Sequence, residues 1–533
     1  MRPPAVLAAL LTAASALGQV ETAPASRPAI TLLIIHTNDI HGQIRPVPDP
    51  RSRDGRPRLV GGFQEMVEAI DEERAAVAHS VWVDAGDWWQ GTPEGTLSRG
   101  RCSVELMNAV GVDFAAVGNH DFDAGPEALL DLLRLARFEV LGANVGAADE
   151  SDPVAVAVDD LIAAGPRFVR AGPFTLAVAG LVTEETPRLV GRNALKGLHV
   201  GGELAAARAV RSVLRLPADR ERAADASRPA SAGRLDADGL LFVNHVARDR
   251  NLLLAREIPD ADVIIGGHNH ADPLATGVTA PSGALLAQAA ATTRAFGAVR
   301  LEIDPETRRI RSKTARLRWI DGRPDAAVSR LAPIVKRYED ETAARMNVPV
   351  CVVPTALGRD PDPENPGPLG AWLGAAMRAA SGAEVAVHNQ GGIRADLPAG
   401  VARVREFFQV SPFGNRLVSA TLKARDLRAL AERTARAPGR GFVVVGLEVA
   451  ARKTADGLQV VALRRNGEPL DDDAAVRVVT TDFLAFGGDA ASPFGRATDL
   501  VDHDVTLLDA TLAFARRSET LVAPPPARWT IVP

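Results

Sequence analysis

Seven side chains of the kinds that bind divalent metal ions follow short apolar runs in the first half of the chain. The set contains carboxylates, imidazoles and one amide, and no thiolate. This mixture favours Zn, Mn, Fe or Mg-type ions, because imidazole and oxygen ligands suit those metals. The seven residues are Asp39, His41, Asp87, Asn119, His245, His268 and His270.

The spacing of these residues bears on where their side chains point. Asp39 with His41, and His268 with His270, each flank a single residue. Side chains alternate in an extended segment, so we expect both members of a pair to face the same side and approach one centre. Seven ligands, one of them shared, would hold two ions roughly 3.5–4 Å apart and leave positions for water and substrate.

The sequence between Ile30 and about Asp304 predicts the strands that must bring these residues together. Short apolar runs, typical of strands buried on both faces, alternate there with stretches of helical spacing, which indicates an α/β domain. Open α/β sheets gather ligands at the carboxyl ends of their strands, and five of these runs end in candidate ligands. The predicted strands are AITLLIIH, SVWVDAGD, FAAVGNH, FEVLGAN, FTLAVAGLV, LLFVNH and ADVIIGGH, and the clearest predicted helices lie in GFQEMVEAIDEERAAVAH and GPEALLDLLRLAR.

This ordered set of motifs resembles the calcineurin-like metallophosphoesterases, and HTNDIHG, VDAGDWWQGT and GNHDFD are similar to the 5'-nucleotidase family in particular. The resemblance implies an α/β sandwich of two packed mixed sheets flanked by helices, and two divalent ions such as Zn or Mn. It also implies that His120 and Asp123 form a catalytic dyad. The implied ligands are Asp39, His41, Asp87 and His270 for one ion, and Asp87, Asn119, His245 and His268 for the other.

The second half resembles the same family in three segments, HNQGGIR, VSPFGN and FLAFGGD. The resemblance implies a C-terminal α+β domain that binds a nucleotide. Two Phe side chains can stack on a base, a carboxylate can accept from ribose hydroxyls, and an Arg can pair with phosphate. The implied substrate-binding residues are Asn389, Arg394, Phe413, Asn415, Phe483 and Asp489.

Three places depart from the usual pattern of the family. Gly370-Ala371 and Ala375 replace a Gly-Asn pair and a later Asp, Ala490-Ala491 replace a Gly and an aromatic residue, and Val246-Ala247 replace the glycine after His245. Every expected metal ligand is nevertheless present. The departures therefore concern details of substrate binding more than metal binding.

Composition predicts the domain organisation. The segment MRPPAVLAALLTAASALGQ carries one Arg, an apolar run and a small-x-small site, which is typical of a signal peptide over 1–18. The apolar run is shorter than the ~20 residues of a membrane span.

The polar segment 217–239 is typical of a surface insertion. The predicted domains are a metallophosphoesterase domain over 28–322, a linker helix over 323–347 and a substrate-binding domain over 348–533.

Charge and cysteine content exclude several classes of protein. Lys and Arg number 61 and Asp and Glu number 66, for a net charge of −5 without long runs of one sign. Such a chain lacks the basic footprint of a protein that binds polymeric nucleic acid. Cys102 and Cys351 lie far apart, and we expect two separate buried thiols.

These observations predict an exported enzyme, secreted or periplasmic, that uses two divalent ions to remove the 5'-phosphate from nucleotides. UDP-sugars or other nucleotide diphosphates are further candidate substrates. A 2',3'-cyclic-nucleotide phosphodiesterase/3'-nucleotidase is an alternative, although that branch presents tyrosines to the base and the single Tyr here, Tyr338, lies in the predicted linker. A sulfur-oxidation relative and a non-catalytic nucleotide-binding surface protein are further alternatives.

Overall fold

A computed structural model describes residues 28–49, 58–191, 193–217, 234–270, 273–323, 330–359, 367–436, 441–455, 457–490, 492–522 and 529–532. The predicted signal peptide, most of the predicted insertion and Ala491 lie outside these residues. No helix in the described ranges is both long enough and apolar enough to cross a bilayer.

Two mixed sheets form the first half of the described chain. The first has the strand order Ile310–Trp319, Ala295–Ile303, Ile30–Thr37, His79–Asp84, Phe114–Ala116, Glu139–Leu141 and Ile162–Ala163. The second has the order Val278–Thr279, Leu285–Gln288, Val263–Gly266, Gly239–His245, Phe174–Val182 and Arg167–Ala171. All seven predicted strands are present.

The two sheets pack face to face, because the inward side chains of both form one apolar cluster. Helices cover the outer face of each sheet, and this arrangement confirms the predicted α/β sandwich. The cluster between the sheets includes Leu32, Ile34, Val81, Val83, Leu176, Val178, Leu241 and Val243. The covering helices include Phe63–Ala75, Arg101–Val110, Pro126–Leu135 and Pro153–Leu161 on the first sheet, and Glu203–Val213 and Arg248–Glu257 on the second.

Local sequence signals explain where these helices begin. Asp152 accepts hydrogen bonds from the backbone N–H groups of Val154 and Ala155, which caps the helix that starts at Pro153. The helix Pro126–Leu135 also starts with a proline, whose missing N–H costs nothing at that position. Its leucines recur at helical spacing and are buried against the first sheet.

The second half is an α+β arrangement, as predicted. Its larger sheet has the strand order Phe442–Val445, Val385–Asn389, Ala475–Thr481, Arg416–Lys423 and Thr498–Thr506, and its smaller sheet Glu468–Pro469, Gly457–Arg465, Glu448–Thr454 and Thr530–Val532. Its longer helices are Pro368–Ser381, Val404–Val410, Ala424–Arg436 and Leu507–Ala515.

A helix, Ala332–Met346, follows the first half in the chain. This helix and the second half both contact the same carboxylate of the first half. Glu94 of the first half is buried, accepts a hydrogen bond from Thr342 of this helix at 3.0 Å, and forms an ion pair with Arg405 of the second half at 2.7 Å. The three parts therefore meet at Glu94. Cys102 and Cys351 are separate, buried thiols.

The carboxyl group of Asp84, at the end of a central strand, predicts a pH dependence of stability. Burial raises its pKa from 3.8 to about 7. Between those values the folded protein binds more protons than the unfolded chain, so the free energy of unfolding falls as pH rises. Each unit of pKa difference corresponds to about 1.4 kcal/mol.

Asp84→Asn removes this titration, and the variant should gain stability relative to wild type between pH 4 and pH 8. Urea unfolding of both proteins at the two pH values, with a chelator present, measures the difference. An equal difference at both pH values would contradict the assignment.

Candidate functional site

Five strand ends from the two sheets converge at one edge of the sandwich. The first sheet provides the segments after Thr37, Asp84 and Ala116, and the second sheet provides those after Asn244 and Gly266. All seven predicted metal ligands lie on these segments. The face-to-face packing of the two sheets thus brings together residues that are more than 200 positions apart in sequence.

The sequence predicted extended backbone for the pairs Asp39–His41 and His268–His270, and this prediction is wrong. The φ angles of Asp39, His41, His268 and His270 are 51°, 51°, 77° and 34°, in the left-handed region. The first pair turns because its N–H groups bond to the neighbouring segment, Asp39 N to Gly86 O at 2.9 Å and His41 N to Asp87 O at 3.0 Å. The side chains still converge, but through tight turns.

Four of the predicted ligands form a compact group. Asp39, His41, Asp87 and His270 each offer one ligand atom, and these atoms all lie within 4.8 Å of one another. The Nε2 atoms of His41 and His270 are 2.8 Å apart. Such convergence of carboxylate oxygens and imidazole nitrogens fits a divalent cation.

The other predicted ligands form a second group beside the first. Asn119 Oδ1 lies 3.1 Å from His245 Nε2 and 3.0 Å from His268 Nδ1. Asp87 Oδ2 lies 3.2 Å from His245 Nε2 and 3.6 Å from His41 Nε2. One carboxylate oxygen therefore faces both groups, as a bridging ligand would.

Backbone carbonyls orient two of the imidazoles. His41 Nδ1 lies 2.6 Å from Gln90 O, and His245 Nδ1 lies 2.7 Å from Ala85 O. A carbonyl can only accept, so Nδ1 carries the hydrogen and, in the neutral ring, Nε2 presents its lone pair to the group. This pattern is common for metal-binding histidines.

Asp87 and His245 stabilise each other's charged forms. Burial raises the pKa of Asp87, but the imidazoles around it, His245 first, hold it well below its usual range. Burial lowers the pKa of His245, yet Asp87 outweighs that effect and raises it to about 9. The negative charge that draws a proton to His245 would also draw a metal cation.

His120 and Asp123 form a hydrogen-bonded pair beside the ligand groups, and the His120 ring lies 5.7 Å from the His41 ring. His120 Nδ1 lies 2.7 Å from Asp123 Oδ2, and the His120 backbone N–H donates to Asp87 Oδ1 at 2.9 Å. Burial lowers the pKa of His120, but Asp123 and Asp87 outweigh it and raise the pKa above 6.5. The pair is thus built to hold a proton beside the metal-ligand groups.

A cavity of about 240 Å³ opens from these groups towards the second half. All six predicted substrate-binding residues line it, together with His120 and Asp123. The Phe413 ring lies 5.5 Å from the His120 ring, and the Arg394 guanidinium lies 3.4 Å from His41 Nε2 and 3.5 Å from His270 Nε2. The residues singled out in the two halves therefore share one cavity.

Strand ends of the second half position these residues. Asn389 is the last residue of the strand Val385–Asn389, and its amide donates to Asp489 Oδ2 at 2.8 Å. Arg433 donates to the Asp489 carbonyl at 2.7 Å. A Cβ on Gly488 would lie 2.5 Å from the Phe483 ring, so this glycine makes room for the ring.

Comparisons with known proteins agree with this arrangement. The 5'-nucleotidase C-terminal domain model matches residues 344–496. The crystal structure of the 5'-nucleotidase precursor from Thermus thermophilus superposes with a TM-score of 0.78 at 26% identity, covering 94% of this chain and 99% of that chain. Residues 344–496 match a 5'-nucleotidase C-terminal domain, and the chain as a whole is similar to the 5'-nucleotidases. The resemblance drawn from its motifs is confirmed.

The curated relatives that this chain matches are longer than it is. Endonuclease YhcR of Bacillus subtilis (strain 168) is 29% identical over 431 residues, which make up 77% of this chain and 33% of that protein. The 5'-nucleotidase of Bos taurus is 30% identical over 249 residues, 46% of this chain and 39% of that protein. The matched parts thus span about a third to two fifths of these relatives.

The sequence did not predict several residues of this site. Leu189 and Gly191 line the cavity from the first half, although no motif marks them. Gln90 lies within the motif VDAGDWWQGT, but its backbone carbonyl contacts His41, and a backbone contact cannot be predicted from residue type. Asp121 lies within the motif GNHDFD, and no role was predicted for it.

Asp87→Asn should weaken metal binding by both groups, because Asp87 Oδ2 faces imidazoles of both. Zn or Mn content per chain, measured after dialysis against a limiting chelator, should fall from two ions towards none. Full retention of one ion in the variant would show that Asp87 serves one group alone.

Proposed function

We propose that this chain is a metal-dependent phosphoric ester hydrolase that removes the 5'-phosphate from nucleotides, with UDP-sugars or other nucleotide diphosphates as further substrates. The supporting observation is the shared cavity. The metal-ligand groups, the His120–Asp123 pair and the aromatic and polar residues of the second half all face it.

Two divalent ions such as Zn or Mn fit the two ligand groups. Asp39, His41, Asp87 and His270 would hold one, and Asp87, Asn119, His245 and His268 the other. Ions bound here would offset charge on the phosphoryl oxygens and lower the pKa of water.

Arg394 would bind the phosphate. Its guanidinium lies 3.4 Å and 3.5 Å from two imidazoles of the first ligand group, so a phosphate bound to an ion held there would lie within its reach. A phosphate at this point would contact cationic groups from both halves. Charge-assisted hydrogen bonds of this kind are stronger than neutral ones.

His120 would act on the leaving oxygen. Its Nδ1 faces Asp123, which leaves Nε2 for the substrate, and its ring lies between the ligand groups and Phe413. A nucleotide with its phosphate at the ligand groups and its base at Phe413 would place the 5'-oxygen near this ring. His120 would then stabilise the transition state and donate a proton as the oxygen leaves.

The second half would bind the nucleoside. Phe413 and Phe483 line the cavity as stacking partners for the base, and Asp489 is an acceptor for ribose hydroxyls, held by Asn389. Asn415 completes this wall. The proposal includes domains over 28–322, 323–347 and 348–533, and export by the segment 1–18.

A phosphate-release assay with AMP, UDP-glucose and 2',3'-cyclic AMP tests the function, with metal content measured on the same sample. The proposal expects release from AMP that a chelator abolishes and Zn or Mn restores. A preference for the cyclic nucleotide would favour the phosphodiesterase alternative. Nucleotide binding without hydrolysis of any substrate by metal-loaded protein would indicate a non-catalytic binder.

His120→Asn should lower kcat for AMP by about 10²–10⁴-fold, the usual contribution of positioned proton transfer. The metal content should stay at the wild-type value, because His120 belongs to neither ligand group. Steady-state kinetics and elemental analysis of one preparation check both statements. Loss of metal in the variant would make His120 a ligand instead.

Phe483→Ala and Gly488→Ala should both lower kcat/KM for AMP, the first by removing a stacking face and the second by displacing the ring. Stacking contributes about 1–3 kcal/mol per base, or roughly 5–150-fold. An aryl phosphodiester such as bis-p-nitrophenyl phosphate needs no base site and should be hydrolysed as before. Equal losses on both substrates would mean that these residues support the fold rather than the base.

A further inference from the structure

Asp121 is a buried carboxylate beside the candidate metal site, and it belongs to neither ligand group. Its side chain is 1% exposed. Its Oδ2 accepts hydrogen bonds from the backbone N–H groups of Gly118 at 2.7 Å and Asp87 at 3.1 Å, and its Oδ1 accepts from Trp88 at 2.9 Å. Three backbone donors from two loops thus converge on one side chain.

The conformation of the Asp87 loop explains why donors converge. Gly86 and Asp87 have consecutive positive φ angles of 90° and 59°. The successive N–H groups of Asp87 and Trp88 both donate to the Asp121 carboxylate, and a turn that directs successive N–H groups to one side forms a concave surface that binds anions. The left-handed region is unfavourable for a residue with a Cβ, so Asp87 keeps it only where surrounding contacts hold it. The Asp121 carboxylate occupies this concave surface.

The orientation of the Asp87 side chain follows from its backbone. Asp87 Oδ1 accepts the backbone N–H of His120 at 2.9 Å, while Oδ2 faces His41 and His245. A Cβ on Gly118 would overlap the Asp87 carboxylate, so the two loops that donate to Asp121 are in close contact. Loss of the Asp121 acceptor would change how these loops pack, and with it the position of the one carboxylate that both ligand groups share.

We propose that Asp121 is a positioning residue for the two-ion site, which sets the backbone of Asp87 and so the bridging geometry of its carboxylate. This inference rests on the proposed function, because it needs two ions that share Asp87. It assigns a role to the first Asp of the HDFD segment that the ligand groups and the dyad do not use.

Asp84 offers a matched control three residues from Asp87. It is also buried, but its oxygens accept from one backbone group, Gly86 N at 2.9 Å, and from the Thr37 hydroxyl at 2.6 Å. An Asn at this position can accept from Gly86 and donate to the hydroxyl of Thr37, which can rotate. At Asp121 both oxygens face backbone donors, so the NH₂ group of an Asn would face an N–H.

The experiment compares Mn²⁺ binding to wild type, Asp121→Asn and Asp84→Asn by calorimetry, with electron paramagnetic resonance to detect the exchange-coupled pair. Asp121→Asn should bind Mn²⁺ about 10–100-fold more weakly, the usual effect of residues that orient ligands, and should lose or alter the coupled signal. Asp84→Asn should keep both properties. Thermal unfolding of each protein, with and without Mn²⁺, confirms that the folded state is compared.

Asp121→Glu keeps a carboxylate and should restore the coupled signal. If Asp121→Asn does not fold, this variant carries the test, and a folded Asp121→Glu protein without the signal overturns the proposal. An Asp121→Asn protein with the affinity and signal of wild type also overturns it. Wild-type protein that binds no Mn²⁺ pair would instead refute the two-ion function itself.

Discussion

Asp87 Oδ2 lies 3.2 Å from Nε2 of His245, at the end of a strand of the second sheet, and 3.6 Å from Nε2 of His41, which follows the strand Ile30–Thr37 of the first sheet. This one carboxylate is where the two sheets, the two ligand groups and the His120–Asp123 pair meet, because its Oδ1 accepts the backbone N–H of His120. A buried charge is costly unless groups of opposite sign or hydrogen-bond donors compensate it. The surrounding imidazoles and the backbone N–H of His120 compensate part of the negative charge of Asp87, and metal ions would compensate the rest.

The site also concentrates unfavourable backbone conformations. Asp39, His41, Asp87, His268 and His270 all have positive φ angles, although none is glycine. Each such residue costs on the order of 1–3 kcal/mol. The packed sandwich beneath them, with its fully buried strands, provides the stability that allows the strained segments to persist. Rigid strands and strained ends together fix the ligand atoms without long loops.

Much of this arrangement was predictable because its signals are local. Apolar runs mark the strands, and Asp39, His41 and Asn119 follow them directly, so the sheet edge and the side chains that meet there could be predicted from sequence. The prediction of extended pairs failed because the turn at Asp39 depends on hydrogen bonds to Gly86 and Asp87, which are distant in sequence. Gln90 and Leu189 were missed for a related reason. Gln90 contacts His41 through its backbone carbonyl, and Leu189 lines the cavity because of its position in the fold. The type of neither residue predicts these contacts.

The division of the cavity between two halves has a consequence for turnover. In the proposed reaction the intact nucleotide is a bivalent ligand, with its phosphate held mainly by the first half and its base by the second. Each end raises the effective concentration of the other at its own subsite. Hydrolysis cuts the bond that links the two ends, so each product keeps only one set of contacts and the avidity is lost. In the proposed reaction, the same shared cavity that holds both ends of the substrate would therefore favour release of both products.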